Sequence, residues 1–182
     1  MGDKMIKGKH VLLRAIERED LPLLHTFNND LAVELAGGGD APMPQSLARL
    51  EAEFEQKSAE GGRNGSDFAI EADGNFIGIC ALFNEDNLTK TTELGIGIGN
   101  KLYWGKGYGS EAIQLLVDYG FRYQNFRKIW LNVHSNNARA IKAYKKVGFV
   151  EEGRLREHVY SNGDYVDLIY MGLLRREWDI NS

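Results

Sequence analysis

The sequence predicts one mixed α/β domain, a single mixed sheet with helices on both faces. Three observations carry this. Short apolar, strand-like runs alternate with amphipathic helical stripes instead of being segregated from them. Two hairpin signals, Asp73-Gly74 and Asn162-Gly163, punctuate the strand-rich parts. No repeat, linker or low-complexity tract divides the 182 residues, a length suited to one sizeable core.

The elements follow in order. Residues 11–15 (VLLRA) form a first strand. Glu17, Arg18, Glu19 and Asp20 then precede Leu21, Leu23, Leu24 and Phe27 at helical spacing. Acids at a helix start suit the helix dipole, and Pro22 is tolerated because it falls in the first turn. Gly37, Gly38, Gly39, Pro42 and Pro44 make a loop. Ser46 caps a second helix to about Ser58, with Leu47, Leu50 and Phe54 on its apolar face. Gly61, Gly62, Asn64 and Gly65 make another loop. Residues 68–71 and 76–83 are strands joined at Asp73-Gly74, with Asn75 lengthening the turn beyond two residues. A strand at 91–98 precedes a helix at 107–121, which carries Ala112, Ile113, Leu116, Val117 and Phe121 on one stripe. Then come a strand at 128–133 and a helix at 137–147, ended by Gly148. Strands at 149–152, 155–160 and 165–174 complete the set.

Composition excludes several functions. Apolar residues make up 43% and charged residues 26%, an ordinary globule's balance. The net charge of −4 is a poor match for a nucleic-acid backbone, so no nucleic-acid partner is expected. A cationic substrate is compatible with that charge without being argued by it. Cys80 is the single cysteine, so it offers neither an internal disulfide nor a zinc pair. Its apolar neighbours predict a small buried strand side chain. Histidines 10, 25, 134 and 158 lack metal-ligand spacing, so no metal is expected. No apolar run approaches a membrane span, and MGDKMIKGKH lacks a signal peptide's apolar stretch. Ile6 breaks the myristoylation pattern. A cytoplasmic protein without a membrane partner is expected, and a homo-oligomer is left open.

The stretch ELGIGIGNKLYWGKGYGS, residues 93–110, carries the chemistry. Gly95, Gly97 and Gly99 alternate with Leu94, Ile96 and Ile98, leaving bare backbone on one strand face where a ligand can approach. Gly105, Gly107 and Gly109 sit just before the amphipathic helix. Small residues there let backbone N–H groups turn around an anion, and the helix N-terminus adds free donors and a partial positive charge. Strand, glycine turn and helix together make a phosphate cradle, to which Lys106 could add a charge. The nucleotide P-loop fails, because Gly107 follows Lys106 and Asn100 stands where a glycine is required. The dinucleotide fingerprint fails on the even spacing of the glycines.

WGKGYGSEA resembles the acyl-CoA pyrophosphate loop of the GNAT acetyltransferases, whose pattern is Gln/Arg-x-x-Gly-x-Gly/Ala. Gly107 and Gly109 match the two small positions. Trp104 stands where Gln or Arg is usual, a departure that leaves the backbone donors intact. Downstream, NNARAIKAYKKVGF is similar to the family's Asn-x-x-Ala-x-x-x-Tyr-x-x-x-Gly-Phe stretch, with Asn137, Ala140, Tyr144, Gly148 and Phe149 in register. The resemblance covers residues 11–177 and is strongest at 93–149. It implies a single N-acetyltransferase domain over 1–182, with its core at about 8–177 and a twisted, mostly antiparallel central sheet. The opening LLRAIEREDLPLLHTFNND and the closing GRLREHVYSNGDYVDLIYMGL are similar to the RimJ/RimL and spermidine acetyltransferase branch. In that branch's polyamine acetylating members, acids in the region corresponding to 34–67 help hold the substrate. The resemblance does not carry over to individual acids here.

The resemblance implies acetyl-CoA as cosubstrate and a primary amine as acceptor, either a small molecule such as a polyamine or a protein N-terminus. The strand Ile96, Gly97, Ile98 and Gly99 would lend backbone hydrogen bonds to the pantetheine arm. Trp104, Gly105, Lys106, Gly107, Tyr108, Gly109 and Ser110 would hold the pyrophosphate. Asn137 would contact the cofactor arm, and Lys142, Lys145 and Lys146 are candidates for the adenosine phosphate. Tyr144, protonated at neutral pH, is the candidate general acid near the sulfur. Glu93, on one face with Gly95 and Gly97, is the candidate base through water. Two other readings are an acyl-CoA-binding regulatory module without catalysis and, more remotely, a nucleotide-phosphate hydrolase.

Overall fold

The computed structural model describes residues 6–37, 41–60 and 65–180, with 179 and 180 described by backbone alone. β1 (Ile6–Lys7) and β2 (Val11–Arg14) open the chain. A 3₁₀ turn at Arg18–Asp20 leads into α1 (Leu21–Asn28), with Pro22 in its first turn. Asp20 is buried and accepts two hydrogen bonds from Arg14, at 2.7 and 2.9 Å, which fixes where α1 leaves the sheet. α2 (Leu31–Gly37) follows, its start capped by the Asp30 carboxylate on Ala32 N at 3.0 Å. α3 (Leu47–Glu60) begins on the predicted cap, where Ser46 Oγ accepts from Arg49 N at 3.2 Å.

β3 (Ser66–Ala72), β4 (Asn75–Asp86) and β5 (Thr91–Ile98) form a meander. α4 (Tyr108–Arg122) crosses over to β6 (Lys128–His134), and α5 (Ala138–Val147) precedes the long hairpin of β7 (Val150–Ser161) and β8 (Asp164–Leu174). The short helix α6 (Arg175–Ile180) is the last element among the described residues. The strands make one sheet in the order β1-β2-β3-β4-β5-β6-β8-β7. Every pairing is antiparallel except β5 with β6, the pair that requires the α4 crossover.

Both faces are covered, as predicted. α4 and α5 bury Leu13, Ile70, Leu82, Leu116, Ile129 and Leu131 on one side. α1 and α3 bury Leu24, Leu50, Ala69 and Phe76 on the other. Strand alternation explains the split, since Phe68 and Ile70 point to the first core and Ala69 to the second. Cys80 is 2% exposed in the first core, as its apolar neighbours predict.

Several local expectations are corrected. β1 and α2 are additional to the predicted elements. Ala72 pairs with Asn75, so the hairpin turn is only Asp73 and Gly74, at φ +52° and +75°. Two adjacent left-handed residues make the tight turn that suits strand twist, and Asn75 belongs to β4. The two strands expected at 149–152 and 155–160 are one strand, β7, which absorbs register irregularities at Glu151/Gly153 and Leu155/Val159. Continuous pairing with the long β8 satisfies its backbone through the glycine. The loop readings at Gly38, Gly39, Gly61, Gly62 and Asn64 lie outside the described residues, as does the start of the N-terminal segment. Among the described residues no helix is long and apolar enough to cross a membrane.

Candidate active site

The site begins where β5 and β6 part. Their parallel pairing spans only Thr91 with Lys128, Thr92 with Ile129 and Glu93 with Trp130. β5 then runs on to Ile98 while still paired to β4, and β6 runs on to His134 while paired to β8. The fork leaves the β5 edge beyond Glu93 without a strand partner on its β6 side. Unmatched N–H and C=O groups at such an edge are a template for an extended ligand.

A cavity of about 640 Å³ opens along this edge. Ile96, Gly97 and Ile98 line it from the strand, and Trp104, Gly105, Gly107, Gly109 and Ser110 line it from the turn. Gly105 and Gly107 have φ +72° and +94°, which glycine adopts without the penalty of a side chain. Gly107 is the N-cap of α4, so the turn delivers the chain to a helix mouth with its N–H groups free. The open backbone of the glycine strand is narrower than its sequence suggests. A Cβ at Gly95 would strike Phe83 at 2.9 Å and one at Gly99 would strike Phe27 at 2.2 Å, whereas Gly97 faces free space. Two of the three glycines therefore accommodate the protein's own aromatic rings.

α5 supplies the opposite wall. Tyr144 lines the cavity from this helix, is 7% exposed, and packs edge-on to Phe149 with ring centroids 6.0 Å apart. Burial pushes its phenol up to about 12. Asn137 also lines the cavity, but both of its amide atoms are engaged. Its Oδ1 caps α5 by accepting from Ala140 N at 3.1 Å, and its Nδ2 donates to Ala36 O of α2 at 2.7 Å. α2 is thereby tied over the cavity, which Val33 and Ala36 line.

Glu93 sits at the apex of the fork and does not line this cavity. It is buried, 7% exposed, with Oε2 accepting from Asn84 at 2.7 Å and Oε1 accepting from Asn132 at 2.8 Å. It is not a solvated strand-end carboxylate. Its strand partners are Phe83 and Trp130, and Trp130 stacks on Tyr170 with centroids 6.1 Å apart. An aromatic-flanked carboxylate thus occupies the sheet face opposite the one that Leu94 and Ile96 present to the α4 core.

The structure therefore gathers Ile96, Gly97, Ile98, Trp104, Gly105, Gly107, Gly109, Ser110, Asn137 and Tyr144 around one cavity. Lys106 and Tyr108 line a neighbouring cavity of about 660 Å³ instead, beside Lys9 and His10. The Tyr108 hydroxyl donates to Asp73 at 3.2 Å. Of the three α5 lysines, Lys142 and Lys146 line the main cavity, whereas Lys145 does not. Sequence reasoning missed Arg139, whose guanidinium lies 3.8 Å from the Trp104 ring centroid, and the α2 wall. Each had a signal: a cation in the first turn of a helix, and Asp30 at capping distance from a septet that is apolar but for Glu34.

A fork between β5 and β6, a glycine turn at a helix mouth and a buried phenol thus meet around one cavity. Residues 10–150 match the family model described as an acetyltransferase (GNAT) domain, and the chain belongs to that family. It is similar to the spermidine N(1)-acetyltransferase of Escherichia coli K12, with 30% identity over 174 residues, 96% of this chain and 91% of that one. The spermidine N(1)-acetyltransferase of Vibrio cholerae is 32% identical over 172 residues, covering 94% and 96%. A crystal structure of the Vibrio cholerae spermidine N-acetyltransferase in complex with CoA and spermine superposes with a TM-score of 0.84 at 30% identity, over 94% of this chain and 99% of that one. The chain is an acetyl-CoA-dependent N-acetyltransferase with an amine acceptor.

Proposed function

We propose that the protein acetylates a primary amine of an aliphatic polyamine by direct transfer within a ternary complex. The observation that carries this reading is the fork. One cavity joins a free strand edge, the glycine turn at the mouth of α4 and Tyr144, while Glu93 lies at the apex of the fork outside that cavity. The pantetheine arm follows Ile96, Gly97 and Ile98 as an added strand, whereas Gly99 lies outside the cavity with its N–H donated to the Ile77 carbonyl at 2.9 Å. The pyrophosphate sits at the turn from Trp104 to Ser110, with Lys106 at its outer rim. Asn137 stands beside the arm and fixes the start of α5. Lys142 and Lys146 face the adenosine phosphate.

The amine must lose a proton before it attacks. For a lysine-like amine this costs roughly 4–5 kcal/mol at neutral pH. Glu93 takes the proton through water. The amine nitrogen bonds to the thioester carbonyl carbon, the carbon–sulfur bond breaks, the proton shed by the nitrogen of the adduct passes through water to the departing thiolate, and Tyr144 hydrogen-bonds that thiolate as its charge develops. Phe83, Trp130 and Tyr170 favour an alkylammonium on the approach to Glu93, because ring faces attract cations. The spermidine acetyltransferase relatives support the same acceptor class.

The experiment is an acceptor panel of spermidine, spermine, putrescine, lysine and an unblocked peptide, each with acetyl-CoA. Turnover is followed by released thiol with an aromatic disulfide reagent. Cys80 stays silent in that assay, because it is 2% exposed and burial pushes its thiol well above its ordinary value. Thiol release with polyamines and a monoacetylated polyamine by mass spectrometry are expected. Turnover with the peptide alone would replace the polyamine by a protein N-terminus. Tight acetyl-CoA binding without turnover on any amine would leave the non-catalytic binding module.

A further inference from the structure

Position 104 offers no cation to the turn, since it carries an indole. That indole is nonetheless fixed, with Nε1 donating to the Ile98 carbonyl at 2.6 Å across the end of β5. Over its face lies the guanidinium of Arg139, with Cζ 3.8 Å from the ring centroid. Arg139 is the second residue of α5, at the positive end of the helix, where a cation is disfavoured. Among the described residues no carboxylate pairs with it, and desolvation pulls its pKa below the ordinary arginine value. The side chain remains exposed and lines the main cavity together with Gly105, Gly107, Gly109 and Ser110. A cation set against a helix dipole, with one ring face as its contact, breaks a local rule with little local return. Such breaks mark functional positions.

We infer that Arg139, positioned by stacking on Trp104, is the side-chain cation that binds the acetyl-CoA diphosphate in this protein. The inference rests on the CoA reading of the cavity. The turn's backbone N–H groups supply dipoles but no net charge, and Lys106 lines the neighbouring cavity. A planar guanidinium can reach two phosphate oxygens at once while keeping its face on the indole. Trp104 thus acts as a positioning residue. Its ring selects the Arg139 rotamer and spans the gap between β5 and α5.

The test compares acetyl-CoA, 3′-dephospho-acetyl-CoA and acetyl-pantetheine, the last lacking every phosphate, on wild type, Arg139→Gln, Arg139→Lys and Trp104→Ala. Calorimetric Kd and steady-state kcat and KM are measured on protein whose fold is checked by circular dichroism. Arg139→Gln is expected to weaken both phosphorylated donors about 10- to 100-fold, the range of a charge-assisted hydrogen bond or two. It should leave kcat at saturation and kcat/KM for acetyl-pantetheine within about twofold. Arg139→Lys should fall between, and Arg139→Gln should add little in the Trp104→Ala background. The inference is overturned by an equal loss with acetyl-pantetheine, which means a structural role for α5. It is also overturned by a loss confined to the 3′-phosphorylated donor, or by no change in Kd. If wild type binds neither phosphorylated donor, the CoA reading itself fails, and the wild-type titration alone shows that.

Discussion

Replacing Tyr144 by phenylalanine removes one hydroxyl and keeps the ring that packs against Phe149. The size of the effect follows from burial. With its phenol pushed up to about 12, Tyr144 is fully protonated at any working pH. It is also a much weaker acid than a thiol of pKa about 8.5. Complete proton transfer to the thiolate would be uphill by roughly 5 kcal/mol, at 1.36 kcal/mol for each pKa unit. In the proposed mechanism the phenol therefore works as a hydrogen-bond donor to the charge developing on sulfur. Such bonds are worth about 1.5–3 kcal/mol, which is about 10- to 150-fold in kcat. The assay is steady-state thiol release by wild type and Tyr144→Phe between pH 7 and 10. KM for acetyl-CoA and thermal stability should change little, and wild-type kcat should show no alkaline fall from this group in that range. A kcat within threefold of wild type, or a loss expressed only in KM, would refute the assignment.

Other outcomes follow from the same geometry. Glu93→Gln keeps shape but removes the proposed base, and should lower kcat about 100-fold or more, with residual activity climbing with pH as the amine deprotonates itself. A flat pH profile would count against Glu93. Gly107→Ala forces a side chain to φ +94° at the α4 N-cap and should cost about 1–3 kcal/mol, measured as weaker acetyl-CoA binding and a lower thermal midpoint. Asp20 is buried, which by itself raises its pKa. The hydrogen bonds from Arg14 and the Glu17 N–H outweigh burial and hold its carboxyl below the ordinary value. Its stabilisation is thus complete above the unfolded pKa of about 4 and is lost as pH falls through the lower folded pKa. Asp20→Asn should cost about 3 kcal/mol near neutrality by thermal unfolding and flatten the acid limb of the stability curve.

Much of the fold was legible because it is written locally. The Ser46 cap, the Gly148 stop, the helix stripe 107–121 and the turn at Asn162-Gly163 each depend on a few neighbouring residues. The glycine turn was legible for the same reason, whereas Tyr144 stood out only through the family resemblance of residues 137–149. Where local signals were weak, as in the septet of α2 or the continuous β7, pairing partners elsewhere in the chain settled the outcome.

The sequence by itself determined the mixed sheet covered on both faces, the order of most of its elements, the glycine turn at α4 and the phenol on α5. Only the tertiary structure decided where β5 and β6 part, that Asn84 and Asn132 bury Glu93 at that point, and that Phe83 and Phe27 occupy the space beside Gly95 and Gly99. It alone set Arg139 over Trp104. The reason is physical. Helical stripes, caps and turns are energies of adjacent residues, whereas strand divergence and the partners of a buried charge depend on groups that only the closed sheet brings together.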